Sequence, residues 1–117
     1  MKVLGKNELA KLSFQTPPHV LILEARFYDQ INDLMLAGAK KTLEAFTATY
    51  EVLTVPGALE IPMALQLAAQ RKSARVFDAF VVLGCVIRGE TTHYETVCNE
   101  SARGLMDVTL RLNLPVG

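Results

Sequence analysis

Between residues 19 and 87 the chain alternates uninterrupted apolar runs with segments of helical period, and few folds satisfy that alternation. The first run, HVLILEA over His19–Ala25, sets Val20, Leu21, Ile22 and Leu23 in succession. A strand with one wet face alternates apolar and polar residues, so a continuous run predicts a strand covered on both faces, as in a parallel sheet. From Asp29 the period changes. Ile31, Leu34, Met35, Ala39, Thr42, Leu43 and Phe46 recur at steps of three and four, which predicts one helical stripe, with Asp29 placed to cap it. TYEVLTV over Thr49–Val55 predicts a second strand, ended by Pro56-Gly57. Residues 59–72 predict a second helix, with Pro62 tolerable only in its first turn. Residues 76–87 are the most apolar segment and predict a central strand. Tyr94, Val97, Cys98, Ser101, Leu105, Val108, Thr109 and Leu112 then form a third helical stripe.

Strand and helix alternating three times predict an α/β fold, a three-layer α/β/α sandwich with a parallel sheet and helices on both faces. At 117 residues the chain is one domain, with residues 1–18 an N-terminal arm and 19–117 the α/β unit. Ligands of such sheets collect at the carboxyl ends of the strands. Three loops fall there: Arg26-Phe27-Tyr28, residues 56–60 and residues 88–92. The last helix is followed by Leu114-Pro-Val, which reads as the start of another strand, so a further crossover unit is expected beyond Gly117.

Charge and hydropathy exclude several function classes. Twelve basic and twelve acidic residues cancel without a block of either sign, whereas binding a phosphate backbone needs a concentrated positive field. No nucleic acid is expected as a partner. The apolar runs fall short of the ~20 residues that span a bilayer, and the first residues lack a signal peptide's apolar core. A cytoplasmic protein with no membrane partner is expected. Half the residues are hydrophobic, which is high for so short a domain and fits both a two-sided sheet and burial against other copies. Cys85 and Cys98 flank His93 at spacings that match no zinc pattern, and they read as small buried hydrophobes.

No phosphate-binding glycine loop and no serine-hydrolase elbow occurs. What stands out is RGETTHYE, residues 88–95, between the third strand and the third helix. Two readings stand side by side. Thr92 and Glu95 have capping-box spacing, which makes the stretch a helix start. Arg88, Gly89 and His93 are not explained by a cap. A helix N-terminus suits an anion, a glycine lets backbone approach a ligand, and a histidine exchanges protons near neutral pH. Phe27 is either a stacking platform or a lid on the core. Residues 58–60 either offer backbone groups and a carboxylate or simply begin a helix.

Taken together, the segments Ala25-Arg-Phe-Tyr28, VPGALEIP at 55–62, GCVIRGETTHYE at 84–95 and VCNESARGL at 97–105 resemble the 6,7-dimethyl-8-ribityllumazine synthase family, over about residues 20–117. The resemblance implies a flavodoxin-like sheet and a step of riboflavin synthesis. In that step 5-amino-6-ribitylaminouracil condenses with 3,4-dihydroxy-2-butanone 4-phosphate to give the lumazine, phosphate and water, without metal or organic cofactor. It implies His93 as the proton-transfer residue and Phe27 as the aromatic that stacks on the pyrimidine. Ala58, Leu59 and Glu60 would hold the ribityl side, and Cys85, Val86 and Ile87 would contact the heterocycle. Glu90 and Thr91 would turn backbone N–H groups to the butanone phosphate, and Arg88 receives no ligand role. It also implies a homo-oligomer, a pentamer or a pentamer-based shell, with sites between subunits.

Two departures stand out. Leu59 and Cys85 replace what is often an aromatic and a small non-thiol residue. The family's last strand and helix, which bring a phosphate-binding arginine and a residue from across the subunit boundary, have no counterpart before Gly117. A chain ending there is expected to be weakly active or inactive. The alternatives are a non-catalytic flavin- or pyrimidine-binding module on the same fold, and a thiol enzyme using Cys85 with His93 as base. Cys98, five residues beyond His93, projects about 140° away on the same helix and does not fit that role.

Overall fold

The computed structural model describes Gly5 and residues 12–117. Three strands form one parallel sheet in the order β2-β1-β3: β1 is His19–Ala25, β2 Thr49–Val55 and β3 Ala79–Leu83. Every residue of β1 is buried, as its unbroken apolar run predicts. His19 pairs with Thr49 at one end of the β1–β2 ladder and Ala25 with Val55 at the other, while Val20–Glu24 align with Ala79–Leu83. Helix α1, Asp29–Ala45, joins β1 to β2. A 3₁₀ turn, Ala58–Glu60, leads into α2, Ile61–Ala69, and α3, His93–Leu112, follows β3.

Alternation along β1 divides the core into two layers. Leu21, Leu23 and Ala25 pack with Ile61 and Leu65 of α2, Phe80 of β3 and Val108 of α3. The residues between them face the opposite side, where α1 lies against β1 and β3. This is the α/β/α sandwich of a flavodoxin-like fold. Beyond α3, Val116 bridges Phe80 in parallel, with N–H···O bonds from Phe80 to Pro115, Gly117 to Phe80 and Val82 to Gly117 at 2.8–3.0 Å. Leu-Pro-Val thus lies alongside β3 in a single parallel bridge.

Several boundaries differ from expectation. The third strand occupies only five residues of the expected 76–87. Residues 84–87 leave the ladder, and Cys85, Val86 and Ile87 remain apolar because they line a cleft rather than the sheet. The second helix ends at Ala69, and its expected first residues form the 3₁₀ turn, with Pro62 in the first α-helical turn where its missing N–H costs nothing. In α1 part of the expected stripe faces water: Ile31 and Leu34 are exposed and Asn32 is buried, while Met35, Ala39 and Leu43 are half-buried. Asp29 is the first helical residue instead of the cap, and its carboxylate accepts from Arg26. Much of the expected arm lies outside the described residues. Of the described part, Phe14 packs edge-on against Phe46, and the Pro18 carbonyl accepts from the Thr49 N–H.

One polar cluster ties the amino ends of the strands together. The His19 ring accepts or donates at both nitrogens, 2.7 Å from Thr49 Oγ1 and 2.7 Å from Glu51 Oε2. Arg71 grips the same Glu51 carboxylate with two N–H groups at 2.9 and 3.1 Å, and its guanidinium covers the Phe77 ring. Arg71 first and His19 second push the Glu51 carboxyl down to about 2. This cluster sits at the end of the sheet opposite the cleft described next.

Candidate functional site

At the carboxyl ends of parallel strands the connecting loops diverge and leave a crevice. Here it is a cleft of about 330 Å³. Ala25, Phe27 and Tyr28 form the wall that follows β1. The turn at 56–60 forms the second wall, and Cys85, Val86 and Ile87 form the third. Helix α3 contributes His93 and Val97 from its first two turns.

The cleft therefore gathers eight of the ten residues singled out in the sequence: Phe27, Ala58, Leu59, Glu60, Cys85, Val86, Ile87 and His93. Glu90 and Thr91 lie outside its lining, on the exposed turn that leads into α3. Five lining residues were not singled out: Ala25, Tyr28, Pro56, Gly57 and Val97. Val97 was findable, since it stands one helical turn after His93 on the same face. Cys85 lines the cleft and Cys98 does not; both thiols are free and half-buried.

The walls are mostly apolar and incompletely covered. Phe27 is 73% exposed, Ile87 52% and Leu59 45%. Side chains this open gain on covering by a flat ligand with apolar faces, and the Phe27 ring, edge-on to Tyr28 at 5.0 Å, offers a stacking platform. Polar chemistry at the cleft comes from the Glu60 carboxylate and the His93 imidazole. Glu60 folds back over Gly57, where a Cβ would come 3.0 Å from its Oε2. The glycine thus leaves room for that carboxylate.

The start of α3 is built differently from the expected capping box. Thr92 occupies the cap position, but its side chain makes no capping bond. Thr91 does that work instead, its Oγ1 accepting from the His93 N–H at 3.2 Å. The Glu95 carboxylate accepts from its own backbone N–H and pairs with Arg88, and both hold its carboxyl below the usual range. It is not free to reach back to the cap. Arg88 also stacks its guanidinium 4.3 Å from the centre of the Tyr94 ring. Gly89 has open space where a Cβ would stand and no left-handed φ, so neither packing nor backbone conformation requires glycine there.

Comparison with known proteins bears on what this cleft does. The family model described as 6,7-dimethyl-8-ribityllumazine synthase matches residues 17–117. A curated protein of that name from Bartonella henselae is 56% identical over 99 residues, which cover 85% of this chain and 63% of that protein. Another from Agrobacterium fabrum is 54% identical over 102 residues, covering 86% of this chain and 69% of that one. The 6,7-dimethyl-8-ribityllumazine synthase 1 of Rhizobium meliloti is 53% identical over 103 residues, covering 86% and 67%. The chain thus spans about two thirds of the length of these relatives.

Proposed function

Because the chain belongs to the 6,7-dimethyl-8-ribityllumazine synthase family, we propose that it takes part in riboflavin biosynthesis at this cleft. The reaction condenses 5-amino-6-ribitylaminouracil with 3,4-dihydroxy-2-butanone 4-phosphate, releasing phosphate and water. The observation that supports the assignment is the convergence of three motif loops, far apart in sequence, around one cleft that holds Phe27 and His93 together.

Each step asks for something the residues can do. Imine formation between the amine and the ketone, elimination of phosphate and ring closure all move protons, and the His93 imidazole at the cleft's edge is the group placed to carry them. Phe27 stacks on the pyrimidine, and the 58–60 turn holds the ribityl chain with Glu60 accepting from its hydroxyls. Residues 85–87 cover the heterocycle. Glu90 and Thr91, outside the lining, belong to the turn assigned to the phosphate, next to the positive end of α3. Bringing two substrates together in one orientation supplies roughly 7–11 kcal/mol, so most of the acceleration comes from the walls rather than from one side chain.

The protein works as a cytoplasmic homo-oligomer, a pentamer or pentamer-based shell with cleft residues shared between neighbours. Residues 1–18 form its arm and 19–117 its domain. One feature supports association. Met63 and Leu67 of α2, and Met106 and Leu110 of α3, leave apolar side chains in water at 59–69% exposure. Among the described residues no helix is long and apolar enough to cross a membrane. Light scattering during gel filtration gives the subunit number directly.

The assignment is tested by mixing purified protein with both substrates and following lumazine fluorescence. Product is expected from protein that carries the family's last strand and helix after residue 117, with His93→Gln lowering kcat roughly 10²-fold at little changed KM. That protein, folded and forming no product, would falsify the assignment. Cys85 shares the cleft with His93, which favours a thiol nucleophile as the second reading; Cys85→Ala that retains turnover excludes it.

A further inference from the structure

Phe27 is the most exposed aromatic of the cleft, and its ring contact is with Tyr28, itself in the same turn. The core does not hold the ring, so its orientation depends on the backbone of the turn. What fixes that turn is the residue before it. Arg26 donates from Nη1 to Glu24 Oε1 at 2.9 Å, from Nε to Asp29 Oδ1 at 3.2 Å and from Nη2 to the Asp29 carbonyl at 3.3 Å, and Nη2 also reaches Asp33 Oδ1. These acceptors bracket Phe27 and Tyr28, one on β1 before them and the others on the first two turns of α1 after them. The Arg26 N–H donates to the Val55 carbonyl at 3.3 Å, and Thr54 Oγ1 donates to Glu24 at 3.3 Å. The end of β2 is thereby joined to the same network.

We infer that Arg26 is a positioning residue, whose guanidinium holds the Phe27 turn in its ligand-accepting conformation by clamping the end of β1 to the start of α1. The inference rests on the reading of the cleft as the lumazine site. A merely structural arginine would neutralise the buried Glu24, whose side chain is 3% exposed, and a lysine could do that equally well. A lysine could not fork to Glu24, Asp29 and Asp33 at once, because its ammonium is a compact point charge and the guanidinium a rigid five-donor plane. Arg26→Lys therefore separates neutralisation from clamping. Loosening the turn means that an aromatic side chain must be ordered when ligand binds, which weakens binding by about 3- to 10-fold.

The test is a double-mutant cycle on the Kd of 6,7-dimethyl-8-ribityllumazine, read by the quenching of its fluorescence, in wild type, Arg26→Lys, Phe27→Ala and the double variant. Urea transitions establish that each variant is folded. If Arg26→Lys loses its cooperative transition, Glu24→Gln/Arg26→Gln replaces it, since that pair removes the buried carboxylate together with its counter-ion. The expected result is that the Arg26 substitution weakens binding about 3- to 10-fold with Phe27 present and less than about twofold with Phe27 absent. An equal factor in both backgrounds, or no effect in either, overturns the inference while leaving the site assignment standing. Wild type that binds no lumazine, or Phe27→Ala that binds as tightly as wild type, removes the site assignment and this inference with it.

Discussion

The same substitution, glycine to alanine inside a helix, is predicted to have opposite signs at two positions. Gly38 lies in α1 with nothing within 4 Å of where its Cβ would stand. Gly104 lies in α3 where that helix crosses the first turn of α2. A Cβ there would come 2.8 Å from Pro62 Cγ and 2.9 Å from Pro62 Cβ. Alanine is favoured over glycine by about 1 kcal/mol in a helix interior, so Gly38→Ala should stabilise the fold by about that amount. At Gly104 the same gain is set against overpacking, which costs about 1–3 kcal/mol. The pyrrolidine ring cannot rotate aside, and carbon atoms settle at about 3.5–4 Å, so the two helices must part by roughly 1 Å. The net expectation is a loss of about 1 kcal/mol, seen as a urea midpoint lower by roughly 0.5–1 M, against a similar rise for Gly38→Ala. The function should suffer more than the stability. Helix α3 delivers His93 and Val97 to the cleft opposite the turn that precedes α2, and a misplacement of about 1 Å can cost up to 10²-fold in rate. A midpoint that rises for both variants would show that the Gly104–Pro62 contact does not set the helix spacing, and the reasoning fails.

Two further outcomes follow from particular contacts. Glu51 has its carboxyl pushed down from 4.5 to about 2 by Arg71 and His19. A depressed carboxyl contributes stability that is complete above pH 4.5 and is lost as the pH falls toward 2, so urea midpoints measured across that window should decline less steeply for Glu51→Gln than for wild type. An equal decline removes the cluster from the account of acid stability. Thr47 adopts φ 57°, a left-handed conformation that is costly for a β-branched residue. Thr47→Asn should raise stability by about 0.5–1 kcal/mol, and a lower thermal midpoint would mean that the Thr47 Oγ1 bond to the Phe46 carbonyl outweighs the backbone strain.

Most of the fold is legible because the buried elements are apolar in ways that reveal their period. The unbroken run in β1 announces a strand covered on both sides, and the stripe from Tyr94 to Leu112 marks the face of α3 that meets α2. The errors occur where burial and hydrophobicity part. In α1, Ile31 and Leu34 satisfy a helical period yet face water, while the buried position belongs to Asn32. Residues 85–87 are apolar at the wall of the cleft, and hydropathy cannot distinguish a ligand wall from a strand. At the start of α3, two adjacent threonines carry the same capping chemistry, and spacing alone does not tell which hydroxyl meets the His93 N–H. The cleft was legible as a set of loops on one rim, because strand order fixes where loops emerge. The Arg26 network was not, since nothing in the spacing of the buried Glu24 and the exposed Asp29 and Asp33 shows that the turn brings them round one guanidinium.

The central claim is that the lumazine occupies the cleft at the carboxyl ends of the strands, and the most direct measurement is the amide and methyl NMR spectrum titrated with 6,7-dimethyl-8-ribityllumazine. Saturable shifts are predicted at Phe27, Ala58, Leu59, Val86, Ile87 and His93, with the His19–Glu51–Arg71 cluster at the opposite end of the sheet unmoved. Shifts confined to that opposite end, or to the groove between α2 and α3 lined by Met63, Leu67 and Asp107, would contradict it.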